Sequence, residues 1–475
     1  MDIKDIIINS SERLQGHMQF EEYQNNLLNA IFYYYLSKRI EKENNKKLFK
    51  YDLNYEEAFY EENMEYYGNK IKNDSLNDYG YFIHPKNLYK NIIKEKNKIK
   101  ELNNAFKQIQ FMDEKPENLF TEIPLNYDSS TIDNYNSLLI DINKLSLDKN
   151  DANILMKFFL NNSFTPCNIS ILLSKLVCYA NETLKNVYDA TCGSCSTLLM
   201  LNEEGDIENF FGQEIKKNSC KLAKINLMMH DIHPNNINIY NEDSTTTKRK
   251  LPPIDAIVSH PPFLKKWESN KKLLNDKRFN TYKKLPPKSK ASYAFLETMI
   301  YHLKDDGIMA VVMPQGVLFR SKAEKEIRKT FIEEKNYIDA VIGLPEKSFP
   351  KNVSACILVL RKNRKKDEKI IIIDASKEYL KKNNLNILTN ENIDKIVSTY
   401  KNRLEIEKYS HNTTISEIKE NDYNLNVKRY VDTYEEKDKI NIHETLNEIE
   451  KLEKEINILK KEEKELFHKL NLDLP

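Results

Sequence analysis

Asp189-Ala190-Thr191-Cys192-Gly193-Ser194-Cys195-Ser196, led in by Val187-Tyr188, reads as a buried strand that enters a turn of small residues and then a helix. α/β folds use that arrangement to bring backbone close to a bound ligand. Glycine is scarce here, nine in 475 residues, so Gly193 in that turn carries weight. About seventy residues on comes a second strand with a rigid tip, Ile257-Val258-Ser259-His260-Pro261-Pro262-Phe263. A prolyl pair has no N–H to donate and fixes both φ angles, so it presents carbonyl oxygens rigidly at a strand end.

Working outward, the chain changes pattern several times. Residues 1–145 show apolar side chains at three- and four-residue spacing, as in Glu21 to Leu36, and predict an N-terminal helical domain with a tyrosine-rich core. Leu125 to Asn150 is polar and reads as a linker. Residues 150–375 alternate strands and helices, which predicts a mostly parallel sheet in an α/β, Rossmann-like domain. The strands expected there are Asn186–Asp189, Asn209–Gln213, Ile237–Tyr240, Ala256–Ser259, Ile308–Met313, Ile338–Gly343 and Ala355–Leu360. A C-terminal helical region is expected over 376–440. Over 441–475, Ile449, Leu452, Ile456, Leu459, Leu466 and Leu470 fall on the a and d positions of a heptad, which predicts a coiled-coil helix.

Charge excludes little. Lys plus Arg is 73 against 72 acidic residues, so any basic surface is local. One such stretch runs from Lys265 to Lys290, with ten Lys or Arg against two acids and Trp267, Phe279 and Tyr282 between them. Beside a base pocket it reads as a phosphate-contacting surface. The six cysteines read as reduced thiols of a cytoplasmic protein. Cys192 and Cys195 have metal-ligand spacing, but no second Cys or His pair lies at ligand distance, so no metal is expected. No apolar run suits a signal peptide or a membrane span.

The candidate site residues follow from this frame. Gly193 and Ser194 would let the methyl donor S-adenosylmethionine lie against the backbone beside Asp189. Glu214 ends the next strand, where an acid accepts hydrogen bonds from ribose hydroxyls. Asp243 ends the third strand and could receive the cofactor's adenine amine. Phe164-Thr165-Pro166 opens a helix whose N-terminus could receive a carboxylate. His260, Pro261, Pro262 and Phe263 form the expected catalytic tip. An adenine amino group is a poor nucleophile because its lone pair is delocalised into the ring. A side-chain acceptor and a prolyl carbonyl can hold its two hydrogens, and Phe263 can stack on the extruded base.

Longer segments now add to the motifs. Leu285 to Phe295 (LPPKSKASYAF), Ile308 to Arg320 (IMAVVMPQGVLFR), Asn336 to Pro345 (NYIDAVIGLP) and Asn421 to Tyr430 follow in order. In these the chain resembles the modification (methyltransferase) subunits of type I restriction–modification systems. The resemblance implies adenine methylation of double-stranded DNA with S-adenosylmethionine, between helical N- and C-terminal regions. It implies assembly with a separate specificity subunit, which chooses the target, and with a restriction subunit. The family's D-P-x-C-G-S-G appears as Asp189 to Cys195, where Cys195 puts a side chain at a position that glycine leaves open to the cofactor. The family's N-P-P-[FY] has His260 for the Asn. These departures admit a second expectation, a catalytically impaired homologue that acts as a scaffold for DNA and the specificity subunit. Methylation of a protein glutamine by a Pro-Pro-Tyr-type enzyme is disfavoured by the flanking helical domains.

Overall fold

The structure is a computed structural model that describes residues 3–14, 17–112, 119–146, 149–160, 165–179, 183–282, 284–349, 353–432 and 442–469. It divides into two compact units, Met1–Val431 and Asp432–Pro475.

The N-terminal third of the first unit is helical. Its main helices are α1 (Ile3–Leu14), α2 (Phe20–Leu48), α3 (Asn69–Tyr79), α4 (Lys98–Gln108), α5 (Ser129–Ile142) and α6 (Lys149–Leu160). Along α2, Leu27, Leu28, Ala30, Ile31, Phe32, Tyr33 and Tyr34 are all buried, so the helix is wrapped on every side. The core is tyrosine-rich, as expected, and its phenols find backbone carbonyls. Tyr33 donates to Asn87 O (3.0 Å), Tyr89 to Leu139 O (3.0 Å) and Tyr55 to Ile83 O (2.7 Å).

The stretch expected as a linker instead contains α5. Asp128 caps it by accepting Thr131 N–H at 2.9 Å, and Tyr135, Leu138, Leu139 and Ile142 form a buried face. Its exposed Ser129, Ser130 and Ser137 and half-buried Asn134 and Asn136 hide that period in a composition count.

After α7 (Cys167–Cys178) the sheet begins. The order along the chain is β1 (Thr183–Asp189), α8 (Ser196–Glu204), β2 (Asp206–Gln213), α9 (Lys217–Met229), β3 (Ile237–Tyr240) and β4 (Ile254–Ser259). Then come α10 (Ser292–His302), β5 (Leu303–Pro314), α11 (Ala323–Lys329), β6 (Ile338–Gly343), β7 (Ala355–Arg361) and β8 (Ile370–Asp374). All seven expected strands are present. The nine-stranded sheet has the spatial order β9-β8-β6-β7-β5-β4-β1-β2-β3, where β9 is Ser410–Thr413. Neighbours are parallel except around β7 and β9, which run against their partners. Helices cover both faces, so β6 and β8 are buried along their whole length. Strand order reverses between β1 and β4, and open α/β sheets bind ligands outside that point.

The sheet runs past residue 375. The region expected as C-terminal helical holds α12 (Asn390–Asn402) and α13 (Ile415–Glu420), and also β9, which pairs antiparallel with β8. The N-terminal helices are joined to the sheet through α9, whose Leu222, Ile225, Met228 and Met229 belong to their core. The second unit is described as one helix, α14 (Ile442–Lys469). Ile449, Leu452, Ile456 and Leu459 on it are exposed, and Leu470 lies outside the described residues. Among the described residues no helix is long and apolar enough to cross a membrane.

One core residue carries a cost. Glu297 on α10 is fully buried and neither carboxyl oxygen has a hydrogen-bond partner, so burial pushes its pKa well above the usual range. The unfolded carboxyl ionises above about pH 4.3 while the folded one stays neutral, so this residue lowers stability as pH rises. Glu297→Gln should therefore gain denaturant resistance over the native chain, by up to about 1.4 kcal/mol per pH unit from about pH 5 upward. A difference that does not change with pH would show that the carboxyl is ionised in the fold.

Candidate active site

The carboxyl ends of β1, β2, β3 and β4 lie level, with Asp189 beside Gly212, Gln213 beside Tyr240 and Tyr188 beside Ile257. Asp189 is buried, and its Oδ1 accepts Ser259 Oγ–H at 2.6 Å and Thr191 N–H at 2.9 Å. Burial pushes its pKa up to about 6, against the pull of the Ser259 and Thr191 hydrogen bonds. The turn after it bends through Gly193 (φ 55°) and Cys195 (φ 63°).

Cys195 does not obstruct that turn. Its side chain is fully buried in the core, whereas a Cβ added to Gly193 would meet nothing within 4 Å. The open space for a cofactor therefore lies beside Gly193, and the sequence-based obstruction is corrected. Cys192 and Cys195 are free thiols. A hydrogen bond to Cys195, with burial, holds the Cys192 thiol protonated. Ser194 turns its hydroxyl to Ser196 (2.8 Å), and its carbonyl accepts from Asn226 (2.8 Å).

Glu214 reaches back to the turn. Its Oε2 accepts Gly193 N–H at 3.2 Å and its Oε1 accepts Lys216 N–H at 2.8 Å. A carboxylate has about four acceptor sites, so room for a ribose remains. Asp243 is more fully engaged than the sequence suggests. Its Oδ2 pairs with Lys265 Nζ at 2.7 Å, and its Oδ1 accepts both the N–H and the hydroxyl of Thr245. Burial opposes its ionisation, but Lys265 and Thr245 outweigh that and keep its pKa below the usual range. Asp243 thus braces the chain just after the prolyl tip. An open turn at Gly193, flanked by Asp189 and Glu214, fits the nucleoside end of S-adenosylmethionine.

The tip lies beside it. His260 Nδ1 is 3.1 Å from Thr165 Oγ1, which joins the Thr165-Pro166 segment to the end of β4. Phe164 lies outside the described residues, and Pro166 stands at the N-cap of α7. The His260 ring lies 5.1 Å from that of Phe263 and 4.8 Å from that of Phe349, with no charged partner. Burial alone lowers its pKa to about 4, so the ring is neutral at physiological pH. Pro262 O accepts Lys265 N–H at 3.4 Å, which ties the tip to the run that follows it.

Sequence reasoning missed Ser259, Lys265 and Phe349. Ser259 and Lys265 flank the tip and could have been found as its polar neighbours. Phe349 lies four residues past the quoted Pro345, at the same sheet edge. The aromatics of the basic loop are core residues. Trp267, Phe279 and Tyr282 are buried, and Tyr282 stacks on Phe331 at 4.9 Å, so the loop's aromatics do not face solvent.

A sheet with its switch point between β1 and β4, an acid at the end of β1 and a Pro-Pro tip at the end of β4 defines a methyltransferase that takes its methyl group from S-adenosylmethionine. The sequence model of the N-6 DNA methylase family matches residues 160–439. The type I restriction enzyme MpnII methylase subunit of Mycoplasma pneumoniae is 28% identical over 98% of this chain and 95% of its own. The MjaVII methylase subunit of Methanocaldococcus jannaschii is 35% identical over 62% of this chain and 54% of its own. The crystal structure of the type I restriction-modification system methyltransferase subunit from Streptococcus thermophilus superposes with a TM-score of 0.80 at 30% identity, covering 90% of this chain and 99% of that one. The chain belongs to the N-6 DNA methylase family, among the modification subunits of type I restriction–modification systems.

Because Cys195 packs away from the open face, Cys195→Gly should leave the S-adenosylmethionine dissociation constant within about twofold. It also relieves a left-handed non-glycine residue, worth about 1–2 kcal/mol, while emptying a buried thiol site. Calorimetry checks the first point; a large gain in affinity would place the thiol against the cofactor after all.

Proposed function

We propose that this chain transfers a methyl group to the exocyclic amino group of adenine in double-stranded DNA, at sites chosen by a separate specificity subunit and in assembly with a restriction subunit. The observation that carries this reading is the Thr165–His260 pair at the end of β4, next to Pro261 and against Phe263. When bound, S-adenosylmethionine supplies an electrophilic methyl group. The chain's own residues orient the amine toward it.

With the Nδ1 proton donated to Thr165 Oγ1, the His260 Nε2 carries a lone pair and accepts one amino hydrogen. The Pro261 carbonyl accepts the other, and the amine lone pair is turned out of the adenine ring. A ring with a pKa of about 4 is a poor base, so His260 acts as an acceptor and the proton released from the amine leaves through solvent. Neutrality also removes any repulsion of the amine as it becomes cationic. Phe263, half-buried beside His260, offers a ring face to the extruded base. Thr165 is a positioning residue in this scheme, because its contact at Nδ1 turns Nε2 toward the amine.

The same contact supports the scaffold reading if it runs the other way. A Thr165 hydroxyl donating to Nδ1 puts the proton on Nε2, which then repels an amino hydrogen.

Transfer of labelled methyl to target duplex, with the specificity subunit supplied, separates the two. Under the methylation reading His260→Ala loses on the order of a hundredfold in rate. Thr165→Val loses about tenfold at unchanged KM for DNA, the cost of one misplaced hydrogen bond. The pH profiles of the native chain and His260→Asn should superimpose from about pH 8 to about pH 5. A free imidazole would titrate near 6.5, whereas any fall near the Asp189 value of about 6 appears in both. No turnover by the native chain, with transfer restored in His260→Asn, would establish the scaffold.

The exposed row Ile449, Leu452, Ile456 and Leu459 on α14 supports a coiled-coil contact to the specificity subunit. Deletion of the residues after 440 should abolish co-purification with that subunit and leave cofactor binding intact. Stoichiometric co-purification of the truncated chain would locate the contact elsewhere.

A further inference from the structure

A cleft of about 470 Å³ opens among Ser289, Lys290, Phe319, Arg320, Ser321 and Glu324. It contains none of the residues of the site above. It offers two cations, two hydroxyls and an aromatic ring that is 47% exposed. Its walls are firmly held. The buried Arg328 donates to the carbonyls of Val317 (3.0 Å), Arg320 (3.1 Å) and Tyr423 (2.6 Å), which fixes the loop that carries Phe319 and Arg320. The Arg320 guanidinium lies against Gly316, where a Cβ would push it aside, and gives Nη1 to the buried Glu324 at 3.3 Å. Lys322 just beyond sits at φ 60°, ψ −130°, a region nearly closed to side-chain-bearing residues. Strain of that kind gathers at ligand clamps.

The cleft is also placed beside the tip. Ala291 N–H donates to Lys265 O (2.9 Å), Trp267 N–H to Lys288 O (3.1 Å) and Trp267 Nε1–H to Pro287 O (3.2 Å). One wall is therefore bonded to the run that follows Phe263. The other leaves the end of β5, the strand paired with β4. Both walls rise from the sheet edge that carries His260.

We propose that this cleft holds a phosphodiester of the DNA strand beside the target base, with Phe319 against the adjoining sugar or base. The proposal rests on the DNA-methylating reading above. A guanidinium fork with one arm pinned to Glu324 keeps its other N–H groups for phosphate oxygens. Lys290 adds a point charge, and Ser289 and Ser321 are the hydroxyl donors that commonly complete phosphate contacts. An exposed ring beside paired cations suits a polymer that covers both.

The test uses the full chain and a fluorescein-labelled DNA duplex, with anisotropy read over a series of salt concentrations. Arg320→Ala and Lys290→Ala should each weaken binding on the order of tenfold at low salt and reduce the slope of log affinity against log salt by about 1. Gly316→Ala should weaken binding with charge unchanged, because it displaces the guanidinium. Lys401→Ala, an equal charge removed from α12, should leave the slope as it is. Native slopes in both cleft variants overturn the proposal, as does a native chain that does not bind the duplex. It is also overturned if inorganic phosphate at matched ionic strength raises the melting temperature of the native chain but not of Arg320→Ala while duplex affinity is equal in the two. Calorimetric titration with S-adenosylmethionine should be unaffected by the cleft variants. A native chain that fails to bind cofactor defeats the methylation reading and leaves the slope comparison standing.

Discussion

The hydrogen bond from Ser259 to Asp189, 2.6 Å long and out of reach of water, is the contact on which the rest of the site depends. It crosses from the end of β4 to the end of β1, where strand order reverses. The same Asp189 oxygen holds Thr191 N–H, and the Thr191 and Ser259 hydroxyls are 3.1 Å apart. The cofactor turn begins one residue after Asp189 and the catalytic tip one residue after Ser259. A single carboxyl therefore sets the distance between the glycine turn and the prolyl tip. That placement has a cost, because burial works against the charge that makes Asp189 a strong acceptor, and raises its pKa to about 6. The two donors offset enough of the penalty for the group to be mostly ionised near neutral pH.

A second brace acts on the far side of the tip. Lys265 carries its charge to Asp243, so the chain leaving Phe263 is tied to the end of β3. Glu214, between them, holds Gly193 by its backbone N–H. The three acids at successive strand ends thus do mechanical work before any ligand arrives. Each fixes a loop by accepting from that loop's own donors. Asp243 is largely spent on Lys265 and Thr245.

Much of this was legible in the sequence, and the limits have physical causes. Ile338–Gly343 is buried along its whole length and largely apolar, and was read with the bounds it has. β8 was missed although it is as apolar and lies inside the expected domain, just after the Lys- and Arg-rich stretch 361–369. β9, Ser-His-Asn-Thr, is a polar edge strand whose pairing no local pattern announces. α5 hid behind exposed Ser and half-buried Asn. At the site, the residue types and their strand-end positions were readable because they follow from topology. The partners were not. That Cys195 points into the core, that Lys265 takes Asp243 and that Phe349 closes on His260 are long-range outcomes of packing.

His260 shows how packing decides chemistry. An imidazole in place of an amide meets three demands that the amide meets unaided. It must be uncharged, present an acceptor rather than a donor, and fit its larger ring at the strand end. Phe263 and Phe349 meet the first and third, since they fill the space around the ring and exclude the water that would stabilise its cation. Thr165 governs the second through a single contact at Nδ1. The hydroxyl is amphoteric and fixes no direction by itself. Under the methylation proposal, an amine placed between Nε2 and the Pro261 carbonyl would do so, because only the Nδ1–H tautomer gives its hydrogen an acceptor at Nε2.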